Sequence, residues 1–185
     1  SLNIMIKEFN TIKNSTRYLI ILFLVLLLVV SRNLSFIPNF TPTISLIVFA
    51  STMFRNYYIL ASIVIASQLI SDYFLGYYSS IFFVYLGYIL LAFASKFILK
   101  EIYFVPIIGT SIISVFIFFL VSNYGVWQMM DIYEYSLSGL IECYIAGIPF
   151  LKYSLISTLL YSTTMYVLFR SILFRYLGSK TVIYK

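Results

Sequence analysis

Tyr18-Leu19-Ile20-Ile21-Leu22-Phe23-Leu24-Val25-Leu26-Leu27-Leu28-Val29-Val30 runs without a charge or a turn-forming residue. A helix that is apolar on every side belongs in a core or in lipid, because a water-facing helix keeps its apolar residues to one stripe. Lys7, Lys13 and Arg17 precede the run. That is the layout of a secretory leader, but no small-residue cleavage site follows and further apolar runs do, so it reads as a signal anchor that stays in the protein.

The same character extends over the whole chain. Of 185 residues, 62% are hydrophobic and 10% charged, and the mean hydropathy is +1.02. A water-soluble domain usually has about a quarter charged residues. Here the few charges fall between apolar runs instead of alternating with them, which predicts an all-α integral membrane protein. There is no histidine and one cysteine, Cys143, so zinc sites, haem ligand pairs, His-based catalysis and structural disulfides lack their residues. No metal or cofactor is expected. The net charge of +6 is spread singly beside apolar segments, unlike a nucleic-acid surface.

A spanning helix needs about 20 mostly apolar residues. Six spans are predicted, at 16–34, 41–54, 57–76, 80–98, 103–122 and 151–173, within one transmembrane domain over 1–185. Thr41 reads as the cap of the second, with Pro42 in its first turn. Ser62, Ala66, Ser67 and Ser71 lie near one face of the third, and the fifth has small residues at Gly109, Thr110, Ser111 and Ser114; small residues let helices pack closely in lipid. The stretch 123–150 is too polar and interrupted to span. Within it, 137–148 reads as a short interfacial helix ended by Pro149, which disfavours helical geometry in the residue before it.

Placing both termini in the cytoplasm puts Lys7, Lys13, Arg17, Arg55, Lys96, Lys100, Arg170, Arg175, Lys180 and Lys185 on that side, and leaves only Arg32 and Lys152 of the 12 Lys and Arg outside. This is a strong positive-inside bias. An error of one in the span count would scatter the cations over both faces. The expected location is the cell membrane, multi-pass and in contact with lipid.

In that orientation the unusual residues gather at the outer face. Arg32 closes the first span, Asn39 lies in the motif Pro38-Asn39-Phe40-Thr41-Pro42, Asp72 closes the third, and Asn123-Tyr124-Gly125-Val126-Trp127 leaves the fifth. Aromatics with a few polar groups are the composition of a small-molecule site. The candidate ligand-binding residues are therefore Arg32, Asn39, Asp72, Asn123, Tyr124 and Trp127. Two readings of Asp72 stand, an ion pair with Arg32 joining the first and third spans, or a ligand contact, and they are compatible. Tyr124 and Trp127 also fit an interfacial aromatic belt, Lys152 a side chain snorkelling out of the sixth span, and Cys143 a small apolar filler. Glu142 beside Cys143 makes no catalytic pair, since adjacent residues on a helix do not face each other.

These motifs, with Ser71-Asp72 before Leu75-Gly76, Gly139-Leu140, Cys143-Tyr144, Ile148-Pro149-Phe150 and Leu159-Leu160-Tyr161, resemble a functionally uncharacterised family of small bacterial membrane proteins regarded as substrate-binding S components of energy-coupling-factor transporters. The resemblance covers about 32–161. It implies a six-helix subunit that captures a vitamin or similar micronutrient outside and releases it inward on docking to a transmembrane T subunit driven by two ATPases. The chain has no ATP-binding motif of its own. It departs from the pattern in two places: the first helix has Leu, Ile and Val where many S components carry paired alanines for docking, and Thr158 stands where an acidic residue is common.

Three functions follow as expectations. The first is a non-catalytic capture subunit for a small molecule. The second is a scaffold or assembly subunit of a larger membrane complex, with the small-residue faces of the third and fifth spans docking partner helices. The third is a lipid-acting enzyme using Asp72 as base, the weakest of the three for want of histidine and of clustered carboxylates.

Overall fold

The computed structural model describes residues 14–54, 56–99 and 103–183, with side chains excepted at 14–17, 53 and 172–183. Its regular structure is helical throughout: α1 Asn14–Asn33, α2 Thr43–Met53, α3 Tyr57–Leu75, α4 Ile81–Ile98, α5 Phe104–Met129 and α6 Leu137–Ile183. Among the described residues, four helices are long and apolar enough to cross a membrane, namely α3, α4, α5 and the part of α6 over Leu137–Ser171. The apolar stretches Tyr18–Asn33 and Thr43–Thr52 are shorter.

α2 sits at the centre. Its 11 residues rise about 16 Å, half the thickness of a bilayer core. Thr43, Ile44, Ser45, Leu46, Ile47, Val48, Ala50 and Ser51 are all buried, as expected of a helix packed on all sides. α4, α5 and α6 surround it, while α1 lies mainly along α3. Ile47, Val48, Leu60, Leu91, Ile107 and Val115 form the middle of one apolar core. Buried hydroxyls fasten α2 to its neighbours: Ser45 Oγ donates to the Thr158 carbonyl at 2.9 Å and accepts from Ser162 Oγ at 3.1 Å, and Ser162 meets Ser111 at 2.8 Å. Such bonds hold helices together where hydrophobic burial cannot discriminate protein from lipid.

The structure revises several expectations about the elements. α2 begins at Thr43, with Pro42 in the cap position and no side-chain cap; the Thr41 hydroxyl is engaged with Thr43 Oγ1 at 3.0 Å instead. On α3 the buried face is Leu60, Ile63, Val64, Ser67, Gln68, Ser71 and Asp72, a sequence of three- and four-residue steps. Ser62 falls off this face and is exposed, its hydroxyl donating back to the Tyr58 carbonyl at 2.8 Å.

The larger revision concerns 123–150. There is no separate interfacial helix: α5 continues to Met129, residues 130–136 turn the chain, and α6 runs for 47 residues with Pro149 inside it. The residues that look like helix breakers here serve close packing. Asn123 Nδ2 donates to the Phe119 carbonyl one turn back at 2.8 Å. Gly125 lies against Phe83, whose ring a Cβ would overlap. Pro149 removes one hydrogen bond, a loss helices in apolar surroundings tolerate when neighbours hold both halves. Here α5 holds them: Tyr144 donates to the Leu120 carbonyl at 2.8 Å before the proline, and Ser162 meets Ser111 after it.

The cations on which the expected orientation rests fall mostly outside what is described. Lys7, Lys13, Arg55, Lys100 and Lys185 lie outside the described residues, and the side chains of Arg17, Arg175 and Lys180 likewise. Lys96, near the end of α4, donates to the Phe54 carbonyl at 2.8 Å where α2 ends, at the end of the bundle opposite Arg32.

Candidate functional site

Two polar regions occupy the end of the bundle where α1, α3 and α5 finish. The first is built on Asp72, fully buried, and Arg32, whose side chain is 16% exposed. Arg32 Nη2 lies 2.7 Å from Asp72 Oδ1, an ion pair without a well-angled hydrogen bond to that oxygen. Asp72 Oδ2 accepts from the Tyr85 hydroxyl at 2.8 Å, and Arg32 Nη1 donates to Gln68 Oε1 at 2.7 Å. One position further along α1, Asn33 Nδ2 donates to Ser71 Oγ at 3.0 Å. The four-residue spacing of Gln68 and Asp72 puts both on the α3 face that α1 covers. A carboxylate taken out of water is costly unless paired and hydrogen-bonded, and both conditions are met here. Asp72 therefore joins α1, α3 and α4.

The second region is a cleft of about 390 Å³, within the range of about 300–1,000 Å³ typical of small-molecule sites. One wall comes from α5, with Phe118, Ser122, Asn123 and Val126, and the facing wall from α6, with Cys143, Ala146, Gly147 and Phe150. Val84 of α4 lies below. Asn39, Tyr78, Ser80, Met130 and Tyr133 close the rim from three connecting segments. Asn39 has a positive φ of 60°, a conformation asparagine accepts better than most residues, and its carbonyl accepts from Ser157 Oγ at 3.3 Å.

No charged side chain lines the cleft. Its polar groups are two amides and several hydroxyls; Ser122 donates back to the Phe119 carbonyl at 3.5 Å, while others lack internal partners. Among the described residues, the Asn39 amide, the Tyr133 hydroxyl and Asn123 Oδ1 have no hydrogen bond, while Ser80 makes only a long contact to Met130 Sδ at 3.9 Å. Tyr78 links the two regions. Burial raises the pKa of its phenol, and the nearby Arg32 charge opposes that shift.

Of the six residues expected at the site, the cleft holds Asn39 and Asn123. Arg32 and Asp72 are engaged with each other behind Tyr78. Tyr124 packs edge-on against Phe83 and tilted against Trp127, each at 5.6 Å. Trp127 stacks on Tyr135 at 4.5 Å, and its indole N–H donates to the Glu134 carbonyl at 3.0 Å. These two aromatics brace the turn over the cleft without lining it. Tyr78, Tyr133, Phe118, Phe150 and Gly147 are cleft residues that the sequence did not single out. Phe150, directly after Pro149, carried the one available signal, but the proline read as a helix end. Cys143 lines the cleft and its thiol donates to the Asn123 carbonyl at 3.3 Å.

A smaller groove of about 340 Å³ lies outside the α1–α2 connection, between Phe36, Phe40 and Tyr161. Among the described residues, no group of three His, Cys, Asp or Glu could hold a metal ion.

The sequence model of a family described as being of unknown function, DUF6580, matches residues 12–179, and the chain belongs to that family. No curated protein and no solved structure matches it.

Proposed function

We propose that this member of a family without an assigned activity is a non-catalytic capture subunit for a small molecule in the cell membrane. In this reading it works as the substrate-binding component of a vitamin or micronutrient uptake system, of the kind its motifs resemble. The observation that carries the proposal is the cleft: a preformed space bordered by aromatics, with amide and hydroxyl groups left unpaired and no charged or nucleophilic constellation. Groups of this kind bind and orient a ligand without reacting with it. Asp72, the carboxylate an enzyme would use as base, is already held by Arg32 and Tyr85.

The proposal includes six membrane passes with both termini inside, so that the cleft opens outward and ligand enters beneath the 130–136 turn. Release then requires a partner, a transmembrane T subunit energised by ATPases. The scaffold alternative is weakened by where the small residues lie. Ser67 and Ser71 of α3, and Thr110, Ser111 and Ser114 of α5, are buried within the chain, so of the small residues singled out on these two helices only Ser62, Gly109 and, in part, Ala66 are left to a partner helix.

The test is equilibrium retention of a labelled panel of vitamins, nucleobases and cobalt or nickel salts by the purified protein in mild detergent, read by native mass spectrometry and thermal shift. Capture predicts stoichiometric retention of one compound without chemical change. Retention of none, with no transporter subunit co-purifying, overturns the proposal.

A further inference from the structure

Asn123 lines the cleft with an amide whose orientation is determined by its own helix. Its Nδ2 donates to the Phe119 carbonyl at 2.8 Å, and only the NH₂ end of an amide can donate to a carbonyl. Oδ1 is thereby turned across the cleft toward α6. There it faces Gly147, where a Cβ would come within 2.5 Å of Oδ1 and 2.9 Å of the Phe119 ring. No donor among the described residues reaches that oxygen. Gly147 leaves it a place, and the place borders the cavity.

We infer that the cleft selects an uncharged ring compound that donates an N–H or O–H to Asn123 Oδ1, and that Gly147 is the residue that keeps this acceptor in position. The inference rests on the capture reading above and names its ligand class. Charge is excluded by the walls: an ion entering the cleft gives up water and finds no opposite charge, because Arg32 and Asp72 are taken up by each other. Desolvating an unpaired ion costs far more than desolvating a neutral amide. The ring is favoured by Phe150 and the apolar wall of Val84, Val126 and Ala146, since an aromatic face suits a planar partner. A neutral ligand without a donor would bury Oδ1 unsatisfied, and sites built around a hydrogen bond reject such analogues strongly.

Four probes on one ring system test this with the full chain in lipid nanodiscs: 1-naphthamide, its N,N-dimethyl derivative, 1-naphthoate and 1-naphthylmethylammonium. Equilibrium dialysis should show 1-naphthamide retained at least about tenfold more tightly than the other three, with that advantage lost in Asn123→Leu. Asn123→Asp keeps an acceptor and adds a negative charge, so it should move the preference toward the ammonium probe by on the order of tenfold. A purely structural asparagine would not produce that reversal. Gly147→Ala should weaken 1-naphthamide without creating an ammonium preference.

Tightest binding of the carboxylate or ammonium probe by the unaltered protein overturns the inference and leaves capture standing. Retention of none of the probes, alongside a compound retained from the vitamin panel, does the same. Failure of both probe set and panel overturns inference and capture together.

Discussion

The Asp72 cluster and the cleft lie at the same end of the bundle, joined by Tyr78, and both are built from polar groups inside an apolar chain. They differ in whether those groups are matched. Around Asp72, each charge meets its opposite, and Gln68, Tyr85, Ser71 and Asn33 supply hydrogen bonds between helices. In the cleft, amides and hydroxyls face an open space. A matched cluster joins helices, whereas an unmatched one beside a cavity is available to a ligand. By this criterion the most conspicuous residues in the chain, Arg32 and Asp72, join helices, and the proposed recognition role passes to the less conspicuous Asn123 and Asn39.

Removing one member of the matched cluster should have the largest effect on stability. Arg32→Ala leaves a buried carboxylate without its counter-charge and should cost about 3–5 kcal/mol, seen as a large fall in the thermal unfolding midpoint in detergent. Replacing both charges together, Arg32→Met with Asp72→Leu, should recover most of that loss. If the single change is mild, the cluster is not what joins α1 to α3, and the contrast drawn here fails.

A smaller loss is expected at the cleft wall. Gly147→Ala forces Asn123 and Phe119 aside and should cost about 1–3 kcal/mol by overpacking, measured in the same unfolding experiment. The effect at the buried hydroxyls is at the lower end of that range: Ser162→Ala removes bonds to Ser45 and Ser111 and should cost about 1 kcal/mol, at an average of about 0.6 for each side-chain hydrogen bond between membrane helices. Asn123→Leu sharpens the comparison most. Its stability should fall by about 1 kcal/mol, the worth of its bond to the Phe119 carbonyl, well short of the Arg32→Ala loss, while ligand retention is lost. An Asn123 variant that is as damaging as Arg32→Ala, or that retains ligand fully, would erase the distinction between the two regions.

Much of the fold can be read along the chain because helix formation in an apolar environment depends on local composition. The boundaries of α3 and α4 agree with the apolar runs to within a residue, and α3 starts where Asn56 caps it by accepting from the Tyr58 N–H at 2.9 Å. The region 123–150 was less legible. Asn123, Gly125, Gly147 and Pro149 are breakers by intrinsic preference, and their preference was overridden by contacts between α5 and α6 that sequence spacing does not display. The α3 buried face was partly misjudged for a related reason: Ser62 is small but turned away, and smallness alone does not say which way a residue faces.

From the sequence alone came the apolar helical character of the chain, the positions of most helices, the exclusion of histidine chemistry and the end of the bundle where polar residues gather. These follow from composition and short-range pattern, which act residue by residue. The tertiary structure decided that α2 is enclosed on all sides, that Arg32 and Asp72 are used up in each other, and that the cleft belongs to Asn123, Asn39, Tyr78, Tyr133 and the α6 wall. Which polar groups are left without a partner depends on which side chains meet across helices, and that is settled only when the helices pack.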